Sequence, residues 1–288
     1  MIGVFDSGHG GLTVLRQLTA RMPQEHFVYF GDHAFAPYGR RDPEEVYRLT
    51  LEAVERLFQH GCRLVLLACN TASAVALRRM QQDWLPQNAP NHRVLGVFVP
   101  MVEALTAVSW RDGLPVPGQT QPDGLVAIFA TERTVLSGAY PLEISLRAPQ
   151  LRVVSQACKN LVAAIEGQAA ADELQSMVSG YVGELMAASG GEKPDSAVLG
   201  CTHYPLVADC FAAALPEETR LLDQPLIVAD SLADYLRRHK RFAAAQNAAG
   251  GVRFLTSGDP ERVSTFASRF FGAAVTFHSV AELDLLQK

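Results

Sequence analysis

Short apolar runs alternate with helix-length amphipathic stretches from one end of the chain to the other. The runs Ile2–Phe5, His26–Phe30, Arg63–Leu67, Val94–Phe98, Leu125–Phe129, Arg152–Ser155, Ala197–Leu199, Arg220–Leu222 and Val252–Leu255 are β-branched and leucine-rich, without polar alternation. That pattern predicts strands buried on both faces, as in a parallel sheet. The helical stretches between them make the class α/β. One helix start is especially legible. Asp42-Pro43-Glu44-Glu45 offers an N-cap, a proline at the first helical position and an acidic first turn. Val46, Leu49, Val54, Leu57 and Phe58 then form an apolar stripe, and Gly61 follows it. Further helices are expected to begin near Leu12 and Val102, while Arg111–Gly124 and Ala243–Gly251 read as loops.

Length and composition narrow the class. The chain has 288 residues, enough for about two ordinary domains. Hydrophobic residues make up 48% and charged ones 19%, which is the balance of a globular protein. A net charge of −5 with no basic tract argues against nucleic acid or an anionic membrane surface as partner. The opening "MIGVFDSG" is strand-like, so no signal peptide is expected, and no run is long enough to span a bilayer. The five cysteines (Cys62, Cys69, Cys158, Cys201, Cys210) are odd in number and lack Cys-x-x-Cys spacing. A reducing cytoplasm fits them better than a disulfide framework or a zinc site.

In open parallel sheets, ligands collect beyond the carboxyl ends of strands. Three segments fall there. In "FDSGHGG", Asp6 and Ser7 follow a strand, and Gly8, Gly10 and Gly11 make a turn into a helix. Such a turn suits a small carboxylate. The dinucleotide fingerprint is incomplete, because Thr13 stands where its third glycine belongs. Asp32 imitates a ribose-binding acid only weakly. The other two segments are "LLACNTAS" and "AVLGCTHYPLV". In each, an apolar strand ends in a small residue, then cysteine, then small hydrogen-bonding residues. A lone cysteine there would read as core packing, but two in matching contexts suggest pseudo-equivalent positions in two halves.

A pair of thiols suits proton transfer at a carbon stereocentre from opposite faces, one as thiolate base and the other as thiol acid. An ordinary thiol needs only roughly 2 kcal/mol to ionise at pH 7. The larger cost, a carbanion beside a carboxylate, must be met by hydrogen bonds and water exclusion. Asn70, Thr71 and Thr202 are donors of the right kind, and Asp6 and His203 are groups able to relay protons to the sulfurs.

These motifs resemble the cofactor-independent glutamate racemases, which supply D-glutamate for peptidoglycan. The matching segments are "IGVFDSGHGGLTVL", "YFGDHAFAPYG", "ACNTASAVAL", "ATERTVLSGAY", "CKNLVAAIEG" and "VLGCTHYPL", in family order from Ile2 to about Val207. The resemblance implies two pseudo-symmetric α/β domains, each with a mainly parallel sheet flanked by helices, and the active site between them. It implies a first domain of residues 1–98 plus 227–288 and a second of residues 99–226, with crossings near Val99 and Leu226. It implies that Cys69, assisted by Asp6, abstracts the proton from the D-enantiomer. Cys201, assisted by His203 and Glu166, would act on the L-enantiomer. Ser7, Pro37, Tyr38, Gly39, Asn70, Thr71, Thr131, Thr134 and Thr202 match substrate-contacting positions. No pyridoxal phosphate, other cofactor or metal is implied. The expected partners are a small-molecule substrate, glutamate, and at most a second copy of the chain as a homodimer.

The chain departs from the family pattern at His9, His33, Phe35, Val99, Lys159 and Leu221–Leu226. His9 and His33 are divided evenly between pocket wall and surface, whereas Cys62, Cys158 and Cys210 read as packing. Three other functions compete. A racemase for aspartate or another acidic amino acid would use the same thiols. A cysteine hydrolase built on Cys201 and His203 leaves Cys69 unexplained and lacks an orienting third residue. A non-catalytic amino-acid-binding protein would bind without exchange.

Overall fold

The apolar runs pair into two parallel sheets. The computed structural model describes residues 1–108, 110–111, 114–115, 123–245 and 249–280. The first sheet begins with β1 (Ile2–Asp6), β2 (His26–Gly31), β3 (Leu64–Leu67) and β4 (Arg93–Gly96). A two-stranded antiparallel ribbon, β5 (Trp110–Arg111) and β6 (Leu114–Pro115), follows. The second sheet holds β7 (Gly124–Ala130), β8 (Leu151–Ala157), β9 (Ser196–Gly200) and β10 (Arg220–Leu222). The chain then returns to the first sheet with β11 (Gly251–Thr256) and β12 (Phe277–Ser279). Strand order is β12-β11-β2-β1-β3-β4 in the first sheet and β10-β9-β7-β8 in the second, with parallel pairing throughout both. The α/β class expected from the runs, and the two parallel-sheet domains that the resemblance implies, are what the molecule has.

Burial on both faces follows the two-residue period of a strand. Ile2, Val4, Phe27 and Tyr29 point into a core shared by the two sheets, where they join Val126, Ile128 and Val198. Phe5, Val28, Phe30, Val65 and Leu67 point the other way, onto the stripe of Val46, Leu49, Val54 and Leu57. The second sheet has its own outer core around Phe129, Leu199, Tyr204 and Phe211. Helices Leu12–Arg21, Phe98–Thr106, Ala139–Ser145 and Gln224–Arg238 supply the shared core with side chains such as Leu15, Met101, Ile144 and Leu232. One continuous apolar interior therefore fixes the sheets relative to each other.

Several boundaries differ from the expectation. The strand expected over Val94–Phe98 stops at Gly96, and the helix expected near Val102 already begins at Phe98. Pro100 sits in the first turn of that helix, where a missing N–H breaks no bond. The expected crossings at Val99 and Leu226 each fall in the first turn of a helix. Strand β12 (Phe277–Ser279) holds a single apolar residue, Phe277, so no apolar run announces it. The expected loop Arg111–Gly124 lies mostly outside the described residues, as do residues 246–248 of the loop Ala243–Gly251, while Gly124 and Gly251 themselves begin strands. Among the described residues, no helix is long and apolar enough to cross a membrane.

Helix Pro43–Gln59 begins as its sequence predicts. The Asp42 carboxylate accepts from the Glu44 N–H at 2.9 Å. Asp42→Ala should cost about 1 kcal/mol of folding stability, read as a lower urea midpoint at unchanged m-value.

Candidate active site

Cys69 and Cys201 follow equivalent strands. The first sheet contains the order β2-β1-β3-β4, and the second repeats it as β8-β7-β9-β10. In such an order the chain builds outward one way from its first strand and then the other. A crevice opens where the direction reverses, beyond the carboxyl ends of the first and third strands. Asp6 and Ser7 lie at that point of the first sheet with Cys69, and Thr131 lies at that point of the second with Cys201. Both thiols line one cavity of about 190 Å³.

Ser7, Pro37, Tyr38, Gly39, Asn70, Thr71, Thr131, Glu166, Thr202 and His203 line it with them. Two expected site residues do not. Asp6 is wholly buried behind the wall, its carboxylate accepting from the Gly8 N–H at 2.8 Å and the Thr202 hydroxyl at 3.2 Å. Thr134 also lies behind, with its hydroxyl 3.0 Å from that of Thr131 and 3.3 Å from that of Thr71.

The surroundings of the two thiols differ. Cys69 caps helix Asn70–Arg79, its Sγ accepting from the Ala72 N–H at 3.4 Å, and the Ser7 hydroxyl is 3.5 Å away. A helix N-terminus favours a thiolate, but burial outweighs it. Burial, with the Asp6 carboxylate adding repulsion, pushes the Cys69 thiol up to about 12. A Cys69 thiolate at pH 7 therefore costs more than the roughly 2 kcal/mol of an exposed thiol. Cys201 has an imidazole beside it: His203 Nδ1 is 3.9 Å from its Sγ, and His203 Nε2 is 2.9 Å from Glu166 Oε1. Burial disfavours charge on His203, but its contacts with Cys201 and Glu166 prevail and hold the imidazole up to about 10. Burial likewise lifts the Asp6 carboxyl, against the pull of His203 and the hydrogen bond from Gly8. Glu166, which the family resemblance already grouped with Cys201 and His203, orients the imidazole through its contact with Nε2.

Two glycines of the turn after β1 are needed for close packing. A Cβ on Gly10 would lie 2.2 Å from Thr202 Oγ1 and 2.5 Å from His203 Nδ1, and one on Gly11 would lie 2.5 Å from Asp6 Cβ. These two glycines make room for Thr202 and His203 and for Asp6, while Gly8 of the same turn lines the cavity. The Thr13 hydroxyl adds a 3.0 Å bond to the Thr202 carbonyl.

Relatives of known identity share this arrangement of chain. No protein-family model matches the sequence. The glutamate racemase of Paracoccus denitrificans is 48% identical over 280 residues, covering 96% of this chain and 99% of that one. That of Roseobacter denitrificans is 47% identical, covering 96% and 98%. The chain belongs to the glutamate racemase family. Among solved structures, a glutamate racemase isoform of Bacillus anthracis superposes with a TM-score of 0.83 at 28% identity, covering 97% of this chain and 96% of its own. The Francisella tularensis glutamate racemase, solved in complex with D-glutamate, gives 0.79 at 26% identity, covering 96% and 95%. The family resemblance read from the motifs is thereby borne out.

Some wall residues in this member of the glutamate racemase family escaped the sequence reading. Arg40, Glu132, Cys158, Lys159 and Asn160 all line the cavity. Cys158 is buried as a packing residue would be, yet reaches the wall. Gln224 exchanges two hydrogen bonds with the Asn70 amide, at 2.8 and 3.0 Å, and the Tyr140 hydroxyl donates to Asn70 Oδ1 at 3.2 Å. The Asn70 carbonyl is thus committed to the protein. The only signal for Gln224 was its place in the departing segment Leu221–Leu226. His9 and His33 do not line the cavity; they pack edge to face behind it, with centroids 4.3 Å apart. His9 also stacks on Phe270, which His203 meets edge-on.

Because Glu166 helps to hold His203 charged, Glu166→Gln should lower the His203 pKa from about 10 toward its ordinary value. The imidazolium's contribution to stability is complete below the ordinary histidine range, and in the wild type it fades as pH rises through about 10. In the variant the contribution should be smaller and its loss complete at lower pH. An NMR titration of the His203 ring reads the shift directly.

Proposed function

We propose that this chain interconverts L- and D-glutamate by passing the α-proton between two thiols, with neither pyridoxal phosphate nor a metal. The observation that carries the reading is that Cys69 and Cys201, borne by different sheets, line one cavity. Cys69 serves the D-enantiomer with Asp6 behind it, and Cys201 serves the L-enantiomer with His203 and Glu166. Ser7, Thr71, Thr131 and Thr202 offer hydroxyls to the substrate's polar groups, while Pro37, Tyr38 and Gly39 wall its side chain. Thr134 acts through Thr71 and Thr131, and Asn70 through its remaining amide N–H. The bound substrate itself supplies part of what Cys69 lacks. An ammonium close to the sulfur lowers the cost of the thiolate, and donors fixed in a water-poor cavity stabilise the carbanion.

The reading extends to the domains and the cell. We assign residues 1–98 plus 227–288 to the Cys69 domain and 99–226 to the Cys201 domain, a division supported by the membership of the two sheets. The five cysteines are all free thiols, which suits the cytoplasm. The role there is supply of D-glutamate for peptidoglycan and cell-wall synthesis, and the proposed assembly is a homodimer.

A second reading is favoured by one observation. Cys201, His203 and Glu166 form the nucleophile, base and orienting acid of a thiol hydrolase. It leaves Cys69 without work. Incubation with D- or L-glutamate in deuterated water, without added cofactor, should interconvert the enantiomers and label the α-carbon. A parallel incubation with L-aspartate should give far slower exchange. Cys69→Ala and Cys201→Ala should each lower racemisation by at least about 10²–10⁴-fold. Full racemisation by Cys69→Ala would overturn the two-thiol mechanism, and thiol-dependent hydrolysis with no α-carbon labelling would favour the hydrolase reading.

A further inference from the structure

Three contacts fix the turn Pro37–Arg41 at the rim of the cavity. The Tyr38 hydroxyl donates to Asp32 Oδ2 at 2.5 Å, and the Ser257 hydroxyl donates to Asp32 Oδ1 at 2.6 Å, so the ring is pinned from below. Gly39 lies against Thr131 of the other domain, where an added Cβ would sit 3.0 Å from Thr131 Cβ. The Arg41 carbonyl accepts from Arg133 Nε at 2.8 Å. The turn therefore presents Arg40 from a fixed place on the cavity wall.

The charges on that wall are otherwise matched. Lys159 Nζ is 3.1 Å from Glu132 Oε1, and His203 Nε2 is 2.9 Å from Glu166 Oε1. The Arg40 guanidinium instead donates to the side-chain oxygen of Asn160, a neutral group on the second domain. Among the described residues it is the one charged side chain on the wall whose partner is not an opposite charge. Position matters as well. The thiols and the side chains of Asn70, Thr71 and Thr202 form a buried floor beside His203, whereas Arg40, Lys159 and Asn160 form an exposed rim. An amino acid with its α-carbon between the thiols sends its side chain from that floor toward the rim. A carboxylate arriving there meets a guanidinium whose planar fork matches it with two parallel hydrogen bonds. The exchange replaces a neutral acceptor by a charged one.

We propose that Arg40 is a specificity-determining residue that takes the distal carboxylate of an acidic amino-acid substrate, releasing Asn160 as it does so. This rests on the reading of the cavity as an acidic amino-acid site. It predicts that the longer diacid, glutamate, is favoured over aspartate because its carboxylate reaches the rim.

The test measures D-glutamate binding by calorimetry and α-proton exchange by NMR, for the wild type and three variants. Arg40→Gln should weaken binding and raise KM about tenfold, with kcat changed less than KM, and Arg40→Lys should fall between. Asn160→Ala should bind glutamate as tightly as the wild type or a few-fold more tightly, because it frees Arg40. Arg40→Gln should also flatten the fall of kcat/KM with added salt. Unchanged binding in Arg40→Gln, or equal weakening in Arg40→Gln and Asn160→Ala, would overturn the assignment in favour of a domain-joining contact. A wild type that binds D-glutamate without exchanging its α-proton would refute the racemase reading, while the binding comparison still decides the role of Arg40. A wild type that binds no glutamate would refute both.

Discussion

A shared apolar core holds two sheets of the same strand order with their crevices turned toward one cavity, and the chemistry of the site depends on that constraint. Strand order alone would put a reactive residue at the carboxyl end of β3 and another at that of β9. It would not bring them together. The side chains of Leu12–Arg21, Phe98–Thr106, Ala139–Ser145 and Gln224–Arg238 do so, by sharing one interior between the inner faces of both sheets. Close approach across the seam then depends on two glycines. Gly10 lets Thr202 and His203 of the second domain come against the first domain's turn, and Gly11 leaves room for Asp6.

The two halves repeat in topology but not in electrostatics. Cys201 sits beside an imidazole held charged by a partly exposed carboxylate. Cys69 sits above a buried carboxylate, with a helix N-terminus and one hydroxyl as its polar neighbours. In the proposed reaction the first arrangement stabilises a negative sulfur through an adjacent positive charge. The second keeps its sulfur protonated until a cationic substrate arrives. An enzyme working in both directions on enantiomers of equal energy does not need identical acid–base groups. It needs two that exchange roles through the same bound carbanion.

The histidines that depart from the family pattern lie behind this machinery. His9 and His33 pack on each other, and burial holds both imidazoles below their ordinary range, His33 to about 3. Kept neutral, they add no positive charge beside His203. They contribute a wall, continuous with Phe270 and Phe277, against which the charged pair is set.

Sequence by itself determined the class and most of the elements, and it pointed to the two cysteines that the proposed reaction uses. Buried parallel strands are nearly continuous apolar runs, and helix Pro43–Gln59 announces its cap, its first turn and its stripe within a few residues of chain. The thiols were legible because the same local context occurs twice, at Cys69 and at Cys201. Tertiary structure alone decided which neighbours those groups have. Asp6 withdrew behind the wall, Gln224 came from 154 residues away to occupy the Asn70 amide, and Arg40, Lys159 and Asn160 met at the rim. Local pattern encodes burial and hydrogen bonding along the chain. Partners distant in sequence are set by how the sheets pack, and nothing in either partner's own segment records that meeting.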